Sequence, residues 1–563
     1  MLSKLIDFVL AQRVFVLILT AALAVFGYRA LTNLPIEAFP DVQDVQVQIV
    51  TQYPGQAPEE VERTITLPIE REMSGVPRQT QLRSVTLTGL SVVTLTFSDG
   101  TDDYFARQQV LEKLQNVTLP GGIQPALAPL TTAVGEIFRY VVETPAGMDA
   151  NEVRALQDWV IRPSLRIVPG VADVVSFGGT VKEYQVQIDP LALKRYGVTI
   201  DQVSTALTNN SANVGGGMVR RGDEALVVRG IGIFNQLDDI GRVIVSAKAG
   251  RTVLVGDLGV ITVGNRPRSG IVAFNQDNSV VEGIVQMSKG SNAAKVVAEV
   301  KLAVAAVNAK LPPGVRLKVI YDRTELIDHT VHTVLENLLV GAALVIGILV
   351  IFLGNWRAAL IVATVIPLSL LFAFIMLDAR GVPANLISLG AVDFGIIIDS
   401  AVVLVEALMV RLTLRQAEPD DALAPGRWRK QVLKRTVVEL GHPILFAKAI
   451  IIVAFLPIYT FQRVEGKIFS PVALTLSFAI LGAILLTMTL VPTLLAWTIK
   501  RHPLEERHSS WMQATQDWYR ARLLQAHGRR TWVLGLSAAA LAITLALAPL
   551  LGSEFLPKLD EGN

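Results

Sequence analysis

Seven apolar runs, split one and six, constrain this chain more than any other feature. They start near Val14, Leu335, Ala358, Leu386, Ile444, Val472 and Trp532. A helix needs about 20 mostly apolar residues to cross a hydrocarbon core. Inside lipid the backbone must satisfy its own hydrogen bonds, so such runs fold as helices. The first run, VFVLILTAALAVFGY, lacks a clear small-residue cleavage site and passes straight into RALTNLPIEAFPD. It reads as an uncleaved anchor, not a signal peptide.

Roughly 300 residues without a spanning segment separate the first run from the second. VQVQIVTQYPG alternates and ends in a turn, which predicts a strand. APEEVERTITLPIEREMSG has helical spacing and an acidic first turn. LRSVTLTGLSVVTLTFSDG predicts two short strands and TDDYFARQQVLEKLQNV a second helix. This β-α-β-β-α order is close to a ferredoxin-like unit. The pattern recurs in GEIFRYVVET, the helix DANEVRALQDWVIRPSLRIV, and the strands VADVVSFGG and KEYQVQIDP. From SVVEGIVQ to VRLKVIYD the chain again reads strand, helix, strand. Residues 190 to 265, rich in glycine and strand formers, read as an insertion between two halves of the second unit. Gly215, Gly216 and Gly217 lack P-loop spacing, which predicts a flexible turn and not a phosphate site.

Composition agrees with a membrane part diluted by a polar one. Mean hydropathy is +0.46 and charged residues make up 18%, against about 25% in soluble domains. A net charge of +2 suggests no nucleic acid or other polyanion as partner. The absence of cysteine excludes disulfides and thiolate metal sites. Arginine and lysine crowd the segments Arg411 to Arg435 and Lys500 to Arg530, which places both in the cytoplasm. The large loop then lies outside, in the periplasm of a Gram-negative cell. Two segments also echo one another. LTNLPIEAFPDVQD follows the first run and LGSEFLPKLDEGN the seventh, as if a second copy of the architecture begins there.

The fourth run, GAVDFGIIIDSAVVLVEAL, carries Asp393, Asp399 and Glu406 and no basic residue. A charge at the bilayer centre costs about 3 kcal/mol on insertion scales. Snorkelling to water suits Glu406, near the cytoplasmic end, but not Asp399, which has apolar residues on both sides. Asp393 lies deeper than a headgroup. Asp399 and Glu406 share a helix face about 10 Å apart along the axis, and Asp393 points roughly 120° away. Gly390, Ala391, Gly395, Ser400 and Ala401 let neighbouring helices approach. Membrane carboxyls of this kind read as a proton relay. Direct binding of a hard divalent cation is the competing reading. Lys448, in GHPILFAKAIIIVAFLPI, is the one base well inside a run. It either snorkels to the cytoplasmic surface or pairs with an acid of the fourth run.

At these residues the chain resembles the heavy-metal efflux branch of the resistance-nodulation-division (RND) superfamily. The matching residues are Asp393-Phe394-Gly395, Asp399, Ala401-Val402-Val403 and Glu406. The likeness continues through NLPIEAFPDV, PGVADVVSFGG, KEYQVQIDP, YDRTELID, FLPIYTFQRVEGKIF and EFLPKLDEG. It covers all 563 residues and about the first half of a usual family member. The resemblance implies an α+β membrane protein, a transmembrane helix bundle with a large periplasmic loop. That loop would hold ferredoxin-like β-α-β porter subdomains and an inserted docking subdomain. The implied protein is a transporter and not an enzyme. It exports cations across the bacterial inner membrane by proton antiport. It works as a homotrimer with a periplasmic membrane-fusion adaptor and an outer-membrane channel. The transported species are protons and a divalent metal ion, with no cofactor. In divalent-cation members the acids matching Asp393, Asp399 and Glu406 serve proton translocation.

Multidrug members carry two adjacent aspartates at this point, whereas Ile398 precedes Asp399 here. That argues against a drug or hydrophobe exporter. Copper and silver members lack the first aspartate and use methionines; here Asp393 is present, and the fourth run has no methionine before Glu406. Carboxylates suit Zn, Co, Cd or Ni better than Cu(I). Ser400 and Ala407 depart from the family's usual glycine and asparagine. Glu136 and Asp173 fall where zinc-type members line a porter pocket with carboxylates; the alternative is ordinary surface acids. His329 and His332, three apart beside Asp328, either chelate a metal or form polar surface. A third possibility is a half that transports nothing without a second chain.

The expected organisation is a first transmembrane helix over 1–30, a first porter subdomain over 31–133 and the first part of a second over 134–189. A docking-type insertion follows over 190–268, and the second porter subdomain closes over 269–332. Transmembrane helices two to six occupy 333–500, a cytoplasmic linker 501–530, and the seventh helix with the start of a second repeat 531–563.

Overall fold

The computed structural model describes residues 2–37, 41–145, 147–248, 251–268, 270–277, 279–390, 394–416, 425–501 and 510–550. Asp393 and the echo segment LGSEFLPKLDEGN lie outside the described residues. The chain divides into two compact units. One comprises Met1–Val134, Lys289–Lys295 and Arg323–Asn563; the other comprises Gly135–Ser288 and Val296–Asp322.

In the first unit, strand β1 (Ile36–Glu37) is followed by an α/β subdomain. Its strands are β2 (Gln46–Gln52), β3 (Gln79–Leu87), β4 (Leu90–Phe97) and β5 (Ala126–Leu127), in sheet order β3-β4-β2-β5. Alternation sets the buried face, with Ser91, Val93, Leu95 and Phe97 turned inward from β4. Val61, Ile65, Ile69 and Met73 recur every four residues on the helical segment from Pro58 to Met73 and pack onto that face. The helix Asp103–Leu114 adds Ala106 and Val110, and Asp102 caps it by accepting from the Phe105 amide at 2.8 Å. The helical segment widens to a π-turn over Glu62–Thr66, just before Pro68. A proline lacks the N–H that an α-helix needs, and the wider turn absorbs the loss.

The second unit holds β6 (Glu136–Glu143), β7 (Val171–Gly178), β8 (Lys182–Ile188), β9 (Val214–Arg221), β10 (Glu224–Gly230), β11 (Ile244–Lys248), β12 (Arg251–Leu254), β13 (Gly259–Asn265), β14 (Val281–Met287) and β15 (Arg316–Asp322). A four-stranded sheet runs β15-β6-β14-β7. The helical segment from Ala150 to Arg166 repeats the earlier device, with a π-turn over Gln157–Ile161 before Pro163. The two subdomains are therefore alike in strand order and in the same local adjustment to proline.

Two expectations need correction here. β8 does not join the β6 sheet; it pairs antiparallel with β13, from Lys182 against Asn265 to Ile188 against Gly259. By hydrogen bonding the insertion therefore starts with β8, not after residue 189. Alternation in KEYQVQI predicts a strand but says nothing about its partner. Gly215, Gly216 and Gly217 are not a turn either. They lie within β9, which pairs with β10 as a fully exposed hairpin that reverses at Gly222.

The rest of the first unit is helical. Among the described residues six helices are long and apolar enough to cross a membrane: Arg13–Asn33, Trp356–Ala379, Ile387–Thr413, Arg429–Tyr459, Arg463–Thr498 and Arg530–Leu550. The second apolar run is the end, Leu339–Leu353, of the 31-residue helix Arg323–Leu353. Strand β16 (Ala384–Asn385) pairs in parallel with β1 and opens the fourth run. The 39-residue helix Arg463–Arg501, here the long helix, packs at the centre of the bundle core. A Cβ on its Gly482 would lie 2.9 Å from Phe372, so glycine is what lets these two helices come so close.

Candidate functional site

The acid helix, Phe394–Gln416, buries Ile397, Ile398, Ala401, Leu404, Val405 and Leu408 in the bundle. Asp399 and Glu406 fall on its opposite, open side. Their seven-residue spacing puts them on one face, as helical geometry requires. Lys448 comes from the helix Pro425–Ala454 and is 2% exposed. Its Nζ donates to the Ile396 carbonyl at 2.7 Å and to Asp399 Oδ2 at 3.3 Å. Lys448 is therefore paired inside the bundle and does not snorkel. The carbonyl matters because a buried ammonium needs more than one acceptor to offset its lost hydration. Next to the pair, the Ser400 hydroxyl is buried without a hydrogen-bond partner among the described residues.

Glu136 and Asp173 lie in the second unit on either side of the central strand β14. Gln286 faces Glu136 across β6 and Asp173 across β7, so all three share one row. At about 4.8 Å between strands, the two acids stand about 10 Å apart at the backbone. Both are held by arginine. Glu136 accepts from Arg139. Asp173 accepts from Arg162 at 3.1 and 3.2 Å and from the Val174 amide at 2.9 Å, with Arg166 at 3.6 Å. Glu282, opposite Val141, completes the patch. Burial pushes its carboxyl above the ordinary value, with Arg139 opposing the shift and Glu136 adding to it. The hydrogen bond to Glu136 in turn raises Arg139. Among the described residues no group of three or more His, Cys, Asp or Glu is placed to hold a metal ion.

His329 and His332 are exposed on the helix Arg323–Leu353. His332 Nδ1 stands 3.9 Å from Glu336, and the His329 carbonyl accepts from Thr333. Sequence reasoning missed Arg139, Glu282 and Gln286, for a reason. Residues three apart on a regular strand point to opposite faces. The ladder skips Ile137, from Phe138 against Val285 to Glu136 against Gln286, and that bulge turns Glu136 onto the Arg139 face.

A helix bundle with a buried lysine paired to an aspartate on an open helix face, and two ferredoxin-like subdomains between its first and second helices in sequence, is the fold of an RND-type transporter. The sequence model of the AcrB/AcrD/AcrF family matches residues 5–563, and the chain belongs to that family. It is 40% identical to the cation efflux system protein CzcA of Alcaligenes sp. (strain CT14), over 100% of this chain and 54% of that protein. It is equally similar to the cobalt-zinc-cadmium resistance protein CzcA of Cupriavidus metallidurans, with the same coverage. A solved heavy metal efflux pump superposes with a TM-score of 0.86 at 38% identity, over 99% of this chain and 53% of that one. The chain thus spans about half the length of the curated relatives it matches.

Proposed function

We propose that this chain supplies half of an inner-membrane exporter of divalent heavy-metal cations, of the Zn, Co, Cd or Ni class, driven by proton antiport. The observation that carries the proposal is the buried Lys448 paired with Asp399 on an open helix face. A proton arriving at Asp399 removes the charge that Lys448 holds, leaving the ammonium with the Ile396 carbonyl. A membrane carboxylate whose counter-ion is fixed in this way is a proton site whose charge state changes helix packing. Glu406 and Asp393 supply further proton positions. Ile398 is buried at 4% exposure where a drug exporter would carry a second acid, which supports cation export over drug export.

In the same reading the large loop is periplasmic, and Glu136 and Asp173 provide first ligands for the cation. A metal arriving there exchanges with Arg139 and Arg162 for the carboxylates. The pump acts as a homotrimer with a periplasmic adaptor and an outer-membrane channel.

The test is metal-dependent proton flux in reconstituted vesicles, with the complementary half present. Asp399→Asn abolishes flux and leaves assembly intact; full flux in that variant removes Asp399 from the relay. Isothermal titration of the same assembly gives tighter binding of zinc or cobalt than of Cu(I). The reverse order overturns the substrate class.

A further inference from the structure

The segment FQRVEGKIF matches the family, yet the relay and the metal ligands leave it without a role. It forms the start of the long helix, and it grips the first α/β subdomain within the same unit. Lys467 Nζ donates to Asp44 Oδ1 at 2.8 Å and to the Gln43 carbonyl at 2.9 Å, with the Val42 carbonyl at 3.5 Å. It also stands 3.9 Å from Asp99. The Arg463 amide, one turn earlier, donates to Asp99 Oδ2 at 3.0 Å. Asp99 thereby caps the long helix from the first α/β subdomain.

The turn is shaped for this grip. Arg463 adopts a left-handed φ of 55°, unusual for a residue with a side chain. A Cβ on Gly466 would lie 2.5 Å from the Phe461 carbonyl, so the chain closes this tightly only with glycine. The attachment points are equally specific. Asp44 lies two residues before β2 and Asp99 two residues after β4. β2 and β4 are the two central strands, antiparallel, with Gln46 opposite Thr96. Both carboxylates therefore sit at one end of the sheet's centre. The long helix, about 58 Å from end to end by helical rise, packs along the acid helix that carries Asp399 and Glu406.

We propose that Lys467 and Asp99 form the joint through which a change in the acid helix, passed along the long helix, moves the first α/β subdomain. They are positioning residues: they touch neither proton nor metal, and they convert helix displacement into movement of the central strands. This inference rests on the relay reading of Asp399. A helix end docked only by apolar contact can slide on its partner. One held by a lysine on three acceptors and by a capped amide moves with it.

The chain has no cysteine, so paired spin labels report only where they are placed. Ser84→Cys on β3 and Trp356→Cys, both at exposed positions, give one distance across the joint in the full chain in lipid nanodiscs. Asp399→Asn, which mimics the protonated acid, shifts that distance. In the Lys467→Met background the shift is lost; in Lys467→Arg it is kept. Asp99→Ala, which removes the cap on the Arg463 amide and leaves the Lys467–Asp44 contact in place, reduces it and decides the matter if Lys467→Met does not fold. A shift that persists in both variants overturns the joint, as does the absence of any shift from Asp399→Asn. The relay reading fails separately, if Asp399→Asn keeps full proton flux in vesicles. A merely structural role for Lys467 lowers the melting temperature and leaves the shift untouched.

Discussion

In the bundle Asp399 has one cation among the described residues, Lys448, and that cation is buried. In the second unit Asp173 has two, Arg162 and Arg166, and both reach solvent. The same chemical group is thus held by two different balances. Lys448 has lost nearly all its water, and among the described residues Asp399 and a carbonyl replace it. Arg162 and Arg166 keep much of theirs, so each pair is worth little and either is easily exchanged. The proposed roles match. A proton site in a membrane needs a fixed partner that responds to a change of charge. A metal pocket needs partners that yield when the ion arrives.

The largest expected effect breaks the bundle pair. Removing one partner of a buried pair costs about 3–5 kcal/mol; Asp399 is 63% exposed, so Asp399→Asn is expected to lose about 2 kcal/mol. Replacing both partners removes the stranded charge. The double variant Asp399→Asn with Lys448→Met should then recover most of the loss. Thermal melts of the four proteins in detergent measure the coupling. Additive losses would show that Lys448 draws no support from Asp399.

The arginine pairs should respond far less. Arg162→Ala leaves Arg166 and the Val174 amide on Asp173, and a loss of about 1 kcal/mol is expected. Glu136→Gln removes an exposed pair and should change stability by about 0.5 kcal/mol or less. Both are read by chemical denaturation. If either loss equals that of Asp399→Asn, the contrast between fixed and exchangeable partners fails.

Much of this was legible in the sequence, and the divide is physical. Helix and strand periods are local, so the spans, both β-α-β units and the shared face of Asp399 and Glu406 follow from spacing alone. Pairing is not local. Nothing in KEYQVQI selects β13 over the β6 sheet, and nothing in FAKAIII selects Asp399 over the cytoplasmic surface for Lys448. The bulge at Ile137 was hidden for a related reason. A two-residue alternation through EIFRYVVE places Glu136 and Arg139 on opposite faces, and only the ladder with β14 reveals otherwise.

The smallest effect sharpens the comparison from the other side, at an acid whose neighbours do not fully offset its burial. The Glu282 carboxyl is raised above its ordinary value of 4.5, chiefly by burial. A raised acid binds its proton more tightly folded than unfolded. As pH rises past about 4.5 the unfolded chain releases that proton first, so stability falls until the folded group has ionised as well, and is then level. Below 4.5 both forms are neutral and the term vanishes. Glu282→Gln should therefore melt higher than the parent at neutral pH, with the gap closing on acidification. Arg139 limits the gain, since the variant leaves it with Glu136 alone. A gap that widens in acid would mean that Arg139 stabilises the ionised Glu282 more than burial opposes it, and the second unit would then contain a fixed pair of the bundle's kind.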